Sequence, residues 1–258
     1  MHNFDLTGRA IWIIGGAGYL GQAVTKLLSH QGARVLCADL GERAAAFVSS
    51  EPGLANVTPA TCDLADIPGA ARWIAQQCER DGPPQGVTVL TYASTAKKLD
   101  DLSEEEFDLV NHGNLTATLI FAREVARRMA AAGGGSIVLF SSMYGTVSPD
   151  PSIYEPPMST NPVEYGVGKA GIQQMARYLA VHFGKQAVRV NSISPGPFPN
   201  PMLQRDDPAF IERLSKKVPL GRVGQASEIA GSVAFLLSDA ATFITGHNLA
   251  VDGGWTAW

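Results

Sequence analysis

Ile11-Trp12-Ile13-Ile14-Gly15-Gly16-Ala17-Gly18-Tyr19-Leu20-Gly21 begins as an apolar run, breaks into a glycine-rich turn and continues into helical periodicity. Four apolar residues in a row suit a strand covered on both faces. The glycines permit a tight turn and let a pyrophosphate approach backbone N–H groups at the positive end of the following helix. A glycine turn alone is weak evidence; its context gives it meaning. A strand precedes it, a helix follows it, and a second strand ends at Asp39 about twenty residues on. A carboxylate there accepts both ribose hydroxyls of an adenosine and repels a 2′-phosphate, which favours NAD over NADP. Leu40 and Gly41 follow it rather than a cation, and Arg43 reads as a solvated residue of the next helix.

Working outward, β-rich runs at 10–14, 34–38, 57–61, 87–91, 136–140, 188–193 and 248–251 alternate with helical segments. The helices are predicted at 19–31, 42–50, 66–80, 103–132 (broken near Gly113), 163–184 and 226–237. This alternation implies an α/β, Rossmann-type doubly wound parallel sheet with helices on both faces. No linker or repeat divides 1–258, so a single domain is expected. Two proline-rich stretches interrupt the rhythm. Ser148–Pro162 carries prolines 149, 151, 156, 157 and 162, and the second, with prolines 195, 197, 199, 201 and 208, leads to a short helix ending at Lys217. Both follow strands, on the edge where open α/β sheets bind ligands, so loops near 143–162 and 195–217 are read as substrate loops. The alternative is that they merely cover the sheet.

The net charge of −4 gives no electrostatic footprint for nucleic acid or an anionic membrane. Cys37, Cys62 and Cys78 form no Cys-x-x-Cys pair, which fits a reduced, cytoplasmic protein. Met1-His2-Asn3-Phe4-Asp5-Leu6 lacks the pattern of a signal peptide, and no apolar run is long enough to span a bilayer. The five histidines lack ligand spacing, so no metal is expected.

Tyr165 and Lys169 stand four apart at the start of a helix and project from one face. A phenol with pKa ~10 is a poor acid or base at neutral pH, and a nearby ammonium favours its phenolate. The pair is either an acid/base unit or an exposed stripe. Asp63, after the third strand, either bonds an adenine amino group or caps the helix near Asp66.

The chain resembles the short-chain dehydrogenase/reductase family, single-domain branch, over nearly its full length. The matching stretches are Asp5–Ala10, the glycine turn, Ser136–Ser142, Tyr165–Lys169, Val188–Gly196, Pro219–Arg222 and Ile244–Gly254. The resemblance implies Ser142 on the substrate oxygen, Tyr165 as general acid/base, and Lys169 binding the nicotinamide ribose and lowering the tyrosine pKa. It places a fourth member, an asparagine supporting a water relay, at Asn114, with Asn111 as the fallback. The dinucleotide would lie along Gly15, Gly18, Tyr19, Leu20, Asp39, Asp63, Leu64, Ala93, Tyr165, Lys169, Pro195 and Gly196.

Several positions depart from the family pattern. Ile14 replaces a threonine that braces the loop after the fourth strand, and where the family shows Asn-Asn-Ala-Gly that loop reads Thr91-Tyr92-Ala93-Ser94 or the frame one residue later. The two changes lie in regions that touch in the family. Tyr19 replaces the middle glycine, giving a spacing similar to the extended, sugar-nucleotide-modifying branch. The gap between Ser142 and Tyr165 is longer than usual, so the proline-rich insert loops out beside the site. Its Ser-Ser-x-Tyr-Gly and Pro-Asp stretch is similar to dehydrogenases of bacterial surface-sugar pathways.

The expected activity is NAD-dependent interconversion of a secondary alcohol and a ketone on a polar small molecule (sugar, sugar phosphate or polyol). Arg205, Arg213, Lys216 and Lys217 are candidates to meet a phosphate or carboxylate. The alternatives are a cofactor-retaining epimerase or dehydratase, and a non-catalytic dinucleotide-binding protein. A homo-oligomer, tetramer or dimer, is implied, with Trp255-Thr256-Ala257-Trp258 either in the interface or packed within its own subunit.

Overall fold

The computed structural model describes residues 3–258; Met1 and His2, part of the N-terminal reading, lie outside the described residues. Seven strands form one parallel sheet: β1 Ala10–Ile14, β2 Arg34–Asp39, β3 Val57–Thr61, β4 Gly86–Val89, β5 Gly135–Phe140, β6 Val188–Pro195 and β7 Asn248–Val251. Their order is β3-β2-β1-β4-β5-β6-β7. Ile13 of β1 pairs with Cys37 on one side and Thr88 on the other, so β1 is central. The chain reverses its direction of travel across the sheet between β1 and β4, the switch point at which such sheets bind ligands.

Helices cover both faces, as expected for parallel strands. They are α1 Tyr19–His30, α2 Arg43–Ser50, α3 Ile67–Asp81, α4 Glu104–Asn111, α5 Thr118–Ala131, α6 Val163–Phe183, α7 Pro201–Asp206, α8 Pro208–Lys217 and α9 Ala226–Leu237. The period-two alternation of β1 divides the core. Trp12 and Ile14 pack with Ile74, Phe121, Met129, Ile172 and Leu179 from α3, α5 and α6. Ile11 and Ile13 face the other way, onto Val24, Leu28, Phe47, Ile229 and Val233 from α1, α2 and α9. Phe121 is 2% exposed at the centre of the first layer, where truncation to alanine costs about 3–5 kcal/mol.

The structure refines several sequence boundaries. The break near Gly113 is a π-helical turn over His112–Ala117 joining α4 to α5, a widening that keeps the helical path while shifting its face. The strand predicted at 87–91 ends at Val89, and the chain then leaves the sheet as an irregular segment. The second proline-rich stretch is more ordered than expected and contains α7. Asn200 caps that helix by accepting from Leu203 N–H, with Pro201 in its first turn, where a missing N–H has no cost.

The insert after Ser142 folds back on α8 and forms a third apolar cluster, with Met143, Tyr144, Ile153, Phe210, Leu214 and Trp255. Trp255 is 7% exposed, so the start of the aromatic tail packs within its own subunit, while Trp258 remains exposed. No helix among the described residues is long and apolar enough to cross a membrane.

Candidate active site

The glycine turn sits at the C-terminal end of β1. Gly21 must be glycine because a Cβ there would collide with the carbonyl of Gly15, and this lets α1 begin directly against the turn. No side chain caps α1, whose N-cap is Gly18, so its positive end faces the groove above the sheet. That end suits a pyrophosphate.

One half of the groove, about 280 Å³, is lined by Gly15, Gly18, Asp39, Asp63, Leu64 and Ala93. The other half, about 690 Å³, is lined by Tyr19, Leu20, Ser142, Tyr165, Lys169, Pro195 and Gly196. Gly15, Gly18, Tyr92 and Ala93 border both halves, so they form one continuous path. Every residue expected to contact the dinucleotide lines this path.

Asp39 is buried, and its oxygens accept from Ala17 N–H at 3.0 Å and Leu40 N–H at 2.9 Å. Arg43, read from the sequence as solvated on the next helix, is 59% exposed at the start of α2 and also lies 3.3 Å from the Asp39 carboxylate. The reason is the tight turn over 40–42, which brings the start of α2 back beside the end of β2. Asp63 does not cap α3. Its carboxylate accepts from Ala65 N–H within its own loop, while Asp66 is the cap and accepts from Gly69 N–H.

At the other end, β5 delivers Ser141 and Ser142 side by side, pointing opposite ways. Ser141 donates to the main-chain oxygen of Lys169 at 2.7 Å, tying the strand end to α6. Ser142 is 6% exposed; its hydroxyl accepts from Tyr144 N–H at 3.2 Å, and it lines the same stretch of groove as Tyr165. Gly145 allows the following turn to touch α6, because a Cβ there would lie 2.7 Å from the carbonyl carbon of Lys169.

Burial pushes the Tyr165 phenol up, the Ser142 hydroxyl pulls it down, and nearby Tyr92 raises it again. Lys169 is 4% exposed and donates to Phe140 O at 2.8 Å. Its ammonium stands 5.5 Å from the centre of the Tyr165 ring, and burial pulls its own pKa down to about 8. The lowering of the tyrosine pKa expected from Lys169 is therefore not the dominant influence in this arrangement; burial is.

Asn114 is 4% exposed on the π turn and holds Ala93 at both ends of its amide. It accepts from Ala93 N–H at 2.7 Å and donates to Ala93 O at 2.9 Å. Asn111 instead donates to Phe107 O within α4. Ile14, in place of the bracing threonine, is fully buried, and the loop after β4 is held from the α5–α6 side instead.

Three side chains at or beside the site make contacts that the sequence reading does not contain. Gln173 bridges the site from α6, its amide reaching the hydroxyls of Thr146 at 3.0 Å, Ser141 at 3.1 Å and Ser194 at 3.3 Å. Its place one turn beyond Lys169 on the same helix face was the available signal. The other two are Glu164, which bonds Thr95, and Arg43, which pairs with Asp39.

The four cations considered for an anionic substrate are all paired. Arg205 meets Asp206 at 2.8 Å, Arg213 meets Glu155 at 2.9 Å, Lys216 meets Glu212 at 2.7 Å and Lys217 meets Asp150 at 2.6 Å. The Arg213 and Lys217 contacts fasten the insert to α8 rather than facing the groove. Among the described residues no cluster of three or more His, Cys, Asp or Glu could hold a metal ion.

Residues 16–256 match a family model described as enoyl-(acyl carrier protein) reductase. The chain is 30% identical over 260 residues to galactitol 2-dehydrogenase (L-tagatose-forming) of Cereibacter sphaeroides, covering 99% of this chain and 98% of that one. A short-chain dehydrogenase from Leptospira borgpetersenii with bound NAD+ superposes with a TM-score of 0.88 at 29% identity, covering 99% of this chain and 96% of that one. A gluconate 5-dehydrogenase from Burkholderia cenocepacia, in complex with NADP and tartrate, superposes at 0.87 with 25% identity, covering 99% and 98%. With the sheet order, the groove and the Ser142–Tyr165–Lys169 arrangement, these likenesses lead to one conclusion: the chain belongs to the short-chain dehydrogenase/reductase family, a nicotinamide-dinucleotide-dependent oxidoreductase acting on CH–OH groups.

Proposed function

We propose that the protein interconverts a secondary alcohol and a ketone on an uncharged polyol or sugar, with NAD as its dinucleotide. The observation that carries this reading is the meeting of Ser142, Tyr165 and Lys169 at the head of the groove that starts at the glycine turn. The bound nicotinamide would supply or accept the hydride. Ser142 orients the substrate oxygen, Tyr165 transfers its proton, and Lys169 holds the ribose. The π turn carrying Asn114 packs on Gly168, next to Lys169, and this closeness supports the relay role for Asn114.

An uncharged substrate is supported by the pairing of Arg205, Arg213, Lys216 and Lys217, which leaves the second loop without a cation directed at a phosphate. It also agrees with the polyol named for the galactitol relative. NAD is supported by the buried charge of Asp39 at the end of β2, where a 2′-phosphate would meet a carboxylate. The stretches 143–162 and 195–217 serve as substrate loops of one domain. A cytoplasmic homo-oligomer, tetramer or dimer, agrees with the exposed Tyr178 and Val181 on α6 and Phe243 near the C-terminus.

A screen of NAD reduction over neutral polyols, sugars, sugar phosphates and hydroxy acids tests the reading. Net NADH formation with a neutral polyol or sugar is expected. Isomerisation without net NADH would favour an epimerase, and turnover confined to phosphorylated substrates would overturn the substrate class.

A further inference from the structure

Glu164 precedes Tyr165 and is completely buried, at 0% exposed. Its Oε1 accepts two hydrogen bonds from one residue, Thr95, through the backbone N–H at 3.0 Å and the hydroxyl at 2.8 Å. Oε2 has no partner. Gly168, one turn further along α6, packs on Asn111 and Asn114, so Glu164 shares the face turned to the π turn. On that side Asn111 Oδ1 is also buried without a partner. A buried carboxyl with one unsatisfied oxygen lowers stability. A side chain that only filled space could be leucine. What the carboxyl provides is a double hold on Thr95.

Thr95 lies in the irregular segment after β4. Asn114 grips the same segment at Ala93. Two buried side chains from different helices thus fix alternate residues of a stretch that has no sheet partner. Tyr92 immediately precedes the fixed stretch. It is 70% exposed, yet its ring lies 6.1 Å from that of Tyr165 in an edge-on contact at 89°. Tyr92 borders both halves of the groove.

We infer that Glu164 is a positioning residue: through Thr95 it fixes the segment that carries Tyr92, and so sets Tyr92 as the wall beside Tyr165 where the two halves of the groove meet. The inference rests on the dehydrogenase reading only for what reacts at Tyr165. Tyr92 is then a specificity-determining side chain, its ring face offered to the C–H face of a polyol or sugar.

A double-mutant cycle tests this on the full-length protein, read both as NADH affinity by fluorescence titration and as kcat/KM with a competent alcohol. Glu164→Leu and Tyr92→Ala are each expected to lower these values about tenfold, while Glu164→Leu in the Tyr92→Ala background adds less than about threefold. Glu164→Gln keeps the acceptor for Thr95 and replaces the unpartnered oxygen with a donor, so it should stay within about threefold of the parent. Thr95→Val gives a milder arm should Glu164→Leu fail to fold: a loss of about threefold that vanishes in the Tyr92→Ala background. Additive losses, or Glu164→Gln as damaging as Glu164→Leu, would overturn the inference. Failure of the dehydrogenase reading would look different: no net turnover of any alcohol, with the cycle still legible in NADH binding.

Discussion

Arg43, at the start of α2, reaches back across the turn after β2 and sets its guanidinium 3.3 Å from the carboxylate of Asp39; with Asp63 these are the charged residues among the described residues lining the smaller half of the groove. Arg43 is 59% exposed while Asp39 is 5% exposed, so the cation is the partner free to move. Asp39→Asn would keep an acceptor for Ala17 N–H and remove the charge that opposes a 2′-phosphate. We expect the parent to bind NADH at least about tenfold more tightly than NADPH, and Asp39→Asn to cut that ratio about tenfold with Arg43 taking up the phosphate. Adding Arg43→Ala should reverse the gain. Fluorescence titrations with the two reduced dinucleotides measure all three.

Under the proposed roles, Tyr165→Phe and Ser142→Ala would remove a proton carrier and an oxygen ligand without touching the glycine turn. Each should lower kcat by about a hundredfold or more, while NADH affinity stays within about threefold. Steady-state kinetics beside a binding titration separate the two effects. A Tyr165→Phe variant with parental turnover would refute the acid/base assignment.

Burial of Lys169 has a consequence for stability. Its folded pKa is about 8 against an ordinary 10.5, so between those values the unfolded chain holds the proton more tightly. Stability therefore rises with pH through that window, and below it the protein carries the full penalty of a buried ammonium. Lys169→Met removes the penalty. Relative to the parent its melting temperature should be most favourable below pH 8, and the advantage should fade as pH approaches 10.5. The lost hydrogen bond to Phe140 O shifts the variant by an amount that does not vary with pH, so the slope is the test.

Arg213 donates to Ile153 O at 2.9 Å and pairs with Glu155, holding the insert against α8. Arg213→Ala should free the insert, raise KM for the alcohol several-fold, leave NADH affinity unchanged and speed proteolysis within 148–162. An unchanged KM would separate the insert from substrate binding.

Interior strands such as Ala10–Ile14 were legible because buried parallel strands write themselves as apolar runs, while the two edge strands, Val57–Thr61 and Asn248–Val251, are more exposed and were placed by their β-rich residues and by their position in the alternation with helices. Ser142, Tyr165 and Lys169 were readable because each sits at a fixed distance from such a strand or on one helix face. What escaped depends on contacts between segments far apart in sequence. Glu164 meets Thr95 across 69 positions, and nothing local distinguishes it from a surface glutamate in the first turn of a helix. The Arg43–Asp39 pair is hidden for the opposite reason: the partner is near in sequence but lies across a turn whose shape the sequence does not state. The π turn at His112–Ala117 left only the mark of a helix broken near Gly113. Pairing of the four cations of the second loop was equally hidden, because Arg213 and Lys217 find their partners in the insert.

Gly145 brings the turn after Ser142 within van der Waals reach of the main chain of Lys169, and Ser141 bonds the carbonyl of that same residue. The separation between the turn after Ser142 and α6 is thereby set by one close main-chain approach and one hydroxyl-to-carbonyl bond. Everything from Thr146 to Pro162 hangs outside that joint. On the proposed roles, exchanges on the solvent side of the insert would alter what lies beside the groove while Ser142 and Tyr165 keep their spacing, so substrate preference and chemistry could change independently.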